Sequence, residues 1–338
     1  MTTGISDRFK RFAVDCTGSS RLYERLSLEI AEDDKLLQMA AHCRAGQPEP
    51  NLFFGAVHCL LLKGYDDDLK AYYASIVNDP REPETAFPYF KRFCLEHEHE
   101  IIPLLQSKLV QTNEVRRCAY MYPAFCYIFE KARKPLALIE LGTSAGLQLF
   151  WDKYGYAYND HERYGDAASE LVLRSEIRGG NLPYLLKDSP PVTARIGIDL
   201  HVNDLEDAED YLWLRSLIWP EHKERITNFE KAALYFEKQA IQLIEGNGVK
   251  LLAETAAMVP EGSALCVFHT HVANQMSNAD KAALIATIQK LGKERDVFHL
   301  YNNMYDLNLH LDYYLGSKEY METIAEADGH GRWFHWMV

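Results

Sequence analysis

The chain has 338 residues, 47% hydrophobic and 25% charged, an ordinary globular composition that excludes wholesale disorder, a collagen repeat and a small disulfide scaffold. Lys plus Arg number 36 against 49 Asp plus Glu, a net charge of −13, so no basic surface for nucleic acid is expected. Seven cysteines without a C-x-x-C pair, no apolar leader in residues 1–12 and no apolar run of membrane-spanning length lead to the expectation of a cytoplasmic protein with no disulfide framework, metal site or membrane partner.

Residues 1–134 read as helical. Leu22, Leu26 and Ile30, then Leu36, Leu37, Met39 and Ala40, recur at three to four positions. Residues 51–64 form a buried helix stopped by Gly64, residues 79–88 a proline-rich loop, and residues 90–110 and 111–134 further helix. At Pro135 the texture changes. Residues 135–141 are a short apolar run suited to a buried parallel strand, and residues 145–155 resume helical spacing. A Tyr- and Gly-rich stretch at about 154–194 reads as an inserted hairpin or flap. Strands are then expected at 194–200, 241–247, 263–270 and 296–302, separated by helices at 206–238, 248–259 and 278–292, the last capped by Ser277 or Asn278. Strands alternating with helices imply a doubly wound, mainly parallel α/β domain over 135–338, preceded by an all-helical region over 1–134 that could serve as a lid or a substrate side.

The most informative string is Ile139-Glu140-Leu141-Gly142-Thr143-Ser144-Ala145-Gly146-Leu147, between a predicted strand and a predicted helix, where open α/β sheets bind ligands. A dinucleotide fingerprint G-x-G-x-x-G fails, because Ser144 and Leu147 stand where glycines are needed. Gly142-Thr143-Ser144-Ala145-Gly146 matches the G-x-S-x-G of an acyl hydrolase, with Ser144 as nucleophile and Asp199 plus His269 or His271 completing a triad. Helices rather than strands precede it, and no oxyanion segment lies upstream. The third reading is S-adenosylmethionine binding: Glu140-x-Gly142-x-Ser144-x-Gly146 is the acidic, glycine-rich turn of a methyltransferase with Ser for the middle glycine. Amides of the turn would then meet the cofactor's carboxylate, and Glu140 its ammonium. Asp199, ending the second strand, would accept from the ribose hydroxyls, and Asn247, ending the third, would meet the purine edge.

The chain resembles the bacterial family known as domain of unknown function 2332. The resemblance rests on Gln111-Thr112-Asn113-Glu114-Val115-x-Arg117, Glu140 through Leu147, Gly197-Ile198-Asp199-Leu200, Leu212-Trp213-Leu214-Arg215-x-Leu217-x-Trp219-Pro220, Val267-Phe268-His269-Thr270 and His330-Gly331-Arg332-Trp333, which span most of the chain. It implies a Rossmann-type, methyltransferase-like core and carries no reaction with it.

Asn113, Glu114 and Arg117 are candidate substrate contacts that could roof the cofactor site, or else a helix cap with solvated charges. His269 and His271, alternating on one strand, would point the same way, one of them as general base or substrate contact. Arg332 could hold a carboxylate in bidentate fashion. His97-Glu98-His99-Glu100 lacks a shared helical face and reads as a solvated turn. Tyr154, Tyr156, Tyr158 and Tyr164 could line a flat pocket or simply pack. The expected function is a methyltransferase using S-adenosylmethionine on a small molecule. Acyl hydrolysis and ligand binding without chemistry are the alternatives.

Overall fold

The computed structural model describes residues 2–159, 162–236 and 240–338; of the segments expected above, positions 1, 160, 161, 237 and 238 lie outside the described residues. Helices α1 (Thr2–Cys16), α2 (Arg21–Ile30), α3 (Asp34–Ala40), α4 (Glu49–Leu62), α5 (Phe87–Glu96) and α6 (Glu98–Ser107) come first. They are followed by α7 (Cys118–Ala132), α8 (Ala208–Ser216), α9 (Lys223–Ala233), α10 (Gly248–Ala257) and α11 (Asn278–Glu294). Two compact units result, one of residues 1–112 and 206–227, the other of 113–205 and 228–338. This division and the boundary expected at 134/135 differ by α7, which lies with the sheet, and by the 206–227 segment, which lies with the first helices.

The first unit is helical. Ser20 caps α2 by accepting from the Tyr23 amide, and Asp33 caps α3 by accepting from Lys35 and Leu36, which satisfies amides that a helix start leaves open. Helix α4 is apolar nearly all round because it is buried nearly all round. Tyr23 stacks on Phe54 at 4.2 Å, and Phe53 meets Phe9 and Phe90 edge-on. Trp213 of α8 enters the same core, and its indole N–H donates to the Leu109 carbonyl at 2.8 Å.

The second unit is built on one eleven-stranded sheet. In chain order its strands are β1 (Leu136–Leu141), β2 (Gly155–Tyr158), β3 (Arg163–Gly165), β4 (Val172–Arg178), β5 (Val192–Asp199), β6 (Gln242–Glu245), β7 (Ala264–His269), β8 (Val297–Tyr301), β9 (Leu309–Leu315), β10 (Lys318–Ala327) and β11 (Trp333–Trp336). Their spatial order is β3-β2-β4-β11-β10-β9-β8-β7-β1-β5-β6. Strands β6, β5, β1, β7 and β8 are mutually parallel. The chain steps from β1 outward to β5 and β6, then returns to the other side of β1 for β7 and β8. Strand order therefore reverses between β1 and β7.

Every residue of β1 is buried because the sheet is covered on both faces. Ala137, Ile139 and Leu141 pack with Leu252 and Ala256 of α10 and with Leu284 and Ile288 of α11. On the other face Phe125 of α7 meets Phe268 edge-on at 5.4 Å and stacks on Trp151 at 4.4 Å. Ser277 does cap α11, accepting from the Asp280 amide.

Two expectations are corrected. Residues 147–153 form two short 3-10 turns joined at a kink at Phe150, not an α-helix, starting from a left-handed Gly146. The tyrosine-rich insertion is part of the sheet: β4 pairs with β11, and β2 with β4. Tyr154, Tyr156 and Tyr158 are buried, their hydroxyls donating to the carbonyls of Leu147, Trp151 and Ala119, so they pack. Among the described residues no helix is long and apolar enough to cross a membrane.

Candidate functional site

In an open parallel sheet the loops beyond the carboxyl ends of the strands, beside the point where strand order reverses, leave a crevice. Here that crevice lies beyond Leu141, Asp199, Glu245 and His269. It holds a cavity of about 220 Å³ lined by Gly142, Asp199, Leu200, Asn247, Val272 and Met276, among others. The structure thus brings together three of the residues singled out in sequence, Gly142, Asp199 and Asn247. Leu200 is 74% exposed at its rim. A larger cleft of about 580 Å³ lies by Asp152, Asp166 and Val192, at the opposite end of β5.

The turn after β1 is tightly self-bonded. Gly142 and Ser144 are left-handed, with φ of 74° and 52°. A side chain on Gly142 would strike Val272, whose Cγ2 stands 2.5 Å from where a Cβ would be. The Gly142 and Thr143 amides donate to the Ile198 carbonyl at 2.8 and 3.3 Å, the Ser144 amide to Asp199 Oδ2 at 2.7 Å, and the Gly146 amide to the Thr143 carbonyl at 2.8 Å. These amides hold the loop rather than facing outward, and two short 3-10 turns offer no extended dipole behind them. Ala145 is buried.

Asp199 accepts a second amide, from His201 at 3.2 Å, and burial raises its carboxyl above the usual range against those amides. Asn247 caps α10 by accepting from the Lys250 amide. Ser144 is buried, and its hydroxyl accepts from the Asn203 side-chain amide at 3.1 Å.

Glu140 stands one residue before the end of β1. It is 4% exposed and accepts from the Thr143 hydroxyl at 2.7 Å. Burial pushes its carboxyl up to about 8; the Thr143 bond pulls it down, the Asp199 charge pushes it up and Arg117 pulls it down.

Around the same strand ends runs a second, polar group of residues. Arg117 Nε donates to the Gly329 carbonyl at 2.9 Å, and its Nη1 lies 3.4 Å from the Thr270 hydroxyl. Thr270 donates to Gln148 Oε1 at 3.1 Å, and Gln148 donates to the Glu114 carbonyl at 3.4 Å. The buried Glu114 carboxylate lies 3.3 Å from His330 Nδ1. Asn113 contributes a buried side-chain amide nitrogen with no partner. Arg332 forms a bidentate pair with Asp328 at 2.7 and 2.9 Å and is exposed beyond it, beside Arg174 in a groove of about 310 Å³.

The two histidines read as neighbours in sequence are separated by the end of β7. His269 is fully buried inside the sheet, its Nε2 3.1 Å from His299 Nε2, and burial lowers its pKa to about 3. Being wholly enclosed, it cannot serve as base to a bound substrate. His271 lies beyond the strand with φ of 61°, which breaks the alternation. Its backbone amide donates to Asn302 Oδ1 at 2.8 Å, and its Nδ1 accepts from Asn303 Nδ2 at 3.2 Å. Burial, with Arg117 and His330 adding, lowers its pKa to about 3, so this imidazole is neutral at ordinary pH.

Val272, Gln148, Asn302, Asn303 and Gly329 were not foreseen. Asn302 and Asn303 had one available signal, their place at the end of the predicted strand 296–302 and directly after it.

The family model described as uncharacterized protein conserved in bacteria (DUF2332) matches residues 6–336. No curated protein and no solved structure matches the chain.

Proposed function

The chain belongs to this bacterial family, DUF2332, and we propose that it is an S-adenosylmethionine-dependent methyltransferase acting on a small-molecule acceptor. The observation that carries the reading is the convergence of Gly142, Asp199 and Asn247, far apart in sequence, on one cavity at the carboxyl ends of β1, β5 and β6. The strand order β6-β5-β1-β7-β8, reversing beside β1, supports a methyltransferase-like Rossmann core. A cavity of about 220 Å³ suits an adenosine-sized group, with Asp199 for its ribose, Asn247 near its base and Leu200 and Met276 as apolar walls.

Bound there, S-adenosylmethionine would supply a methyl group on a positively charged sulfur. The chain's own task is then to hold the acceptor in line with that methyl and to exclude water. A thiolate or carboxylate acceptor already presents a lone pair and needs no base, which fits a site whose nearest imidazole is neutral and hydrogen-bonded.

Calorimetric titration with S-adenosylmethionine and S-adenosylhomocysteine tests the reading. Saturable binding is expected, weakened by roughly tenfold or more in Asp199→Asn, since a bond to a charged acceptor is lost. Folded protein that binds neither compound refutes it. Turnover with a methyl-labelled cofactor separates the enzyme from a ligand-binding shell without chemistry. Acyl hydrolysis by Ser144 draws support from its left-handed backbone alone, since Asn203 occupies its hydroxyl and Asp199 its amide.

A further inference from the structure

A ligand carrying an amino-acid carboxylate needs a cationic or N–H seat, and four of the five amides of the 142–146 turn, those of Gly142, Thr143, Ser144 and Gly146, are already bonded within the protein. Further N–H groups with the right chemistry are on the other polar feature of the same strand ends. Since Nδ1 of His271 accepts from the Asn303 amide, the ring proton sits on Nε2. That Nε2–H is buried and has no hydrogen-bond partner. A buried unpaired donor is costly, and here it sits on a left-handed residue, His271 (φ 61°), whose ring partner Asn303 is left-handed too (φ 58°). Strain of this kind at a strand end, together with the unpaired donor, marks a position shaped for contact with something else.

What covers the donor is a strap of the chain's own backbone, residues 328–332. A Cβ built on Gly329 would stand 3.8 Å from His271 Nε2, and the Gly329 carbonyl oxygen accepts from Arg117 Nε at 2.9 Å. The Gly329 carbonyl oxygen on the Arg117 guanidinium holds the place that one carboxylate oxygen would take there. The strap is fastened by short-range bonds: the Gly331 amide to the Asp328 carbonyl, the His330 and Arg332 amides to the Asp328 carboxylate, and Glu114 near His330. At Gly331 it approaches so closely that a Cβ would lie 2.4 Å from the Arg116 carbonyl oxygen. Val272, adjacent in sequence to His271, is also a wall of the adenosine-sized cavity, so cavity and donor are one residue apart.

We propose that Arg117 and His271 form the seat for the amino-acid carboxylate of the adenosyl ligand, and that the 328–332 strap covers this seat and lifts when the carboxylate replaces the Gly329 carbonyl. The proposal rests on the adenosyl reading given above. It assigns His271 the role of hydrogen-bond donor, not base.

The test compares S-adenosylhomocysteine with 5′-methylthioadenosine, which has the same adenosine and thioether but no amino acid. With the wild-type protein, calorimetry should show the former binding at least about tenfold more tightly. His271→Gly, which tolerates the left-handed backbone but withdraws the donor, should reduce that ratio toward one, with the methylthioadenosine affinity as the internal reference. Amide deuterium exchange at 330–332 should accelerate with the homocysteine compound and not with methylthioadenosine. Equal affinities in the wild type overturn the carboxylate seat while leaving the adenosine cavity standing. Binding of neither compound overturns both.

Discussion

Glu140→Gln isolates the most perturbed carboxyl at the end of β1. In the fold its pKa is pushed up to about 8, against an ordinary value of 4.5, because burial penalises the charged form more than Thr143 and Arg117 favour it. Between these two values the folded chain keeps a proton that the unfolded chain has released. Stability therefore declines as pH rises through that interval, by up to about 1.4 kcal/mol per pH unit, or roughly 5 kcal/mol across the whole of it. Glutamine preserves the shape and can still accept from the Thr143 hydroxyl, yet it does not ionise. Denaturant unfolding followed by circular dichroism at half-unit steps from pH 5 to pH 8 gives both curves, and every other titrating group cancels in their difference. Wild type and variant should be close in stability near pH 5, with the variant ahead by several kcal/mol at pH 8. Parallel curves across the range would show that Glu140 is ionised in the fold and would refute the burial argument.

Three further outcomes follow from the geometry. Val272→Ala should cost about 1 kcal/mol in stability by removing apolar contact, but enlarge the cavity beside Gly142 and tighten adenosyl binding; Val272→Phe should close it, and calorimetry on both variants checks this. Ser277→Ala removes the side chain that accepts from the Asp280 amide and should lower stability by about 1 kcal/mol in denaturant titration. A fluorophosphonate probe should leave Ser144 unlabelled by mass spectrometry, and an adduct there would revive the acyl-hydrolase alternative.

Much of the parallel core is legible in the sequence. Residues 135–141, 194–200, 241–247, 263–270 and 296–302 each contain or overlap a strand, since buried parallel strands are short apolar runs ended by Gly, Asp, Asn or His. Their shared carboxyl ends then follow, and with them the meeting of Gly142, Asp199 and Asn247. Other features depend on partners distant in sequence. The apolar spacing of Leu147, Leu149, Phe150 and Trp151 fits a helix, but the self-bonded turn and left-handed Gly146 start it as 3-10. That the tyrosine insertion extends the main sheet is decided by the pairing of β4 with β11 across the chain. Alternation carries His269 only to the end of β7, and nothing local announces that His271 turns left-handed to meet Asn303. The acidic residue ending β1 was legible; its burial against Thr143 was not, because that depends on the fold of the following turn.

The central claim is that an adenosyl group occupies the cavity beyond β1, β5 and β6. A crystal structure of the protein with S-adenosylhomocysteine measures it most directly. The account predicts ribose oxygens within hydrogen-bond distance of Asp199 and the base between Val272 and Asn247. Adenosyl density in the Arg174–Arg332 groove or the Asp152 cleft, with the cavity beside Gly142 left empty, would contradict it.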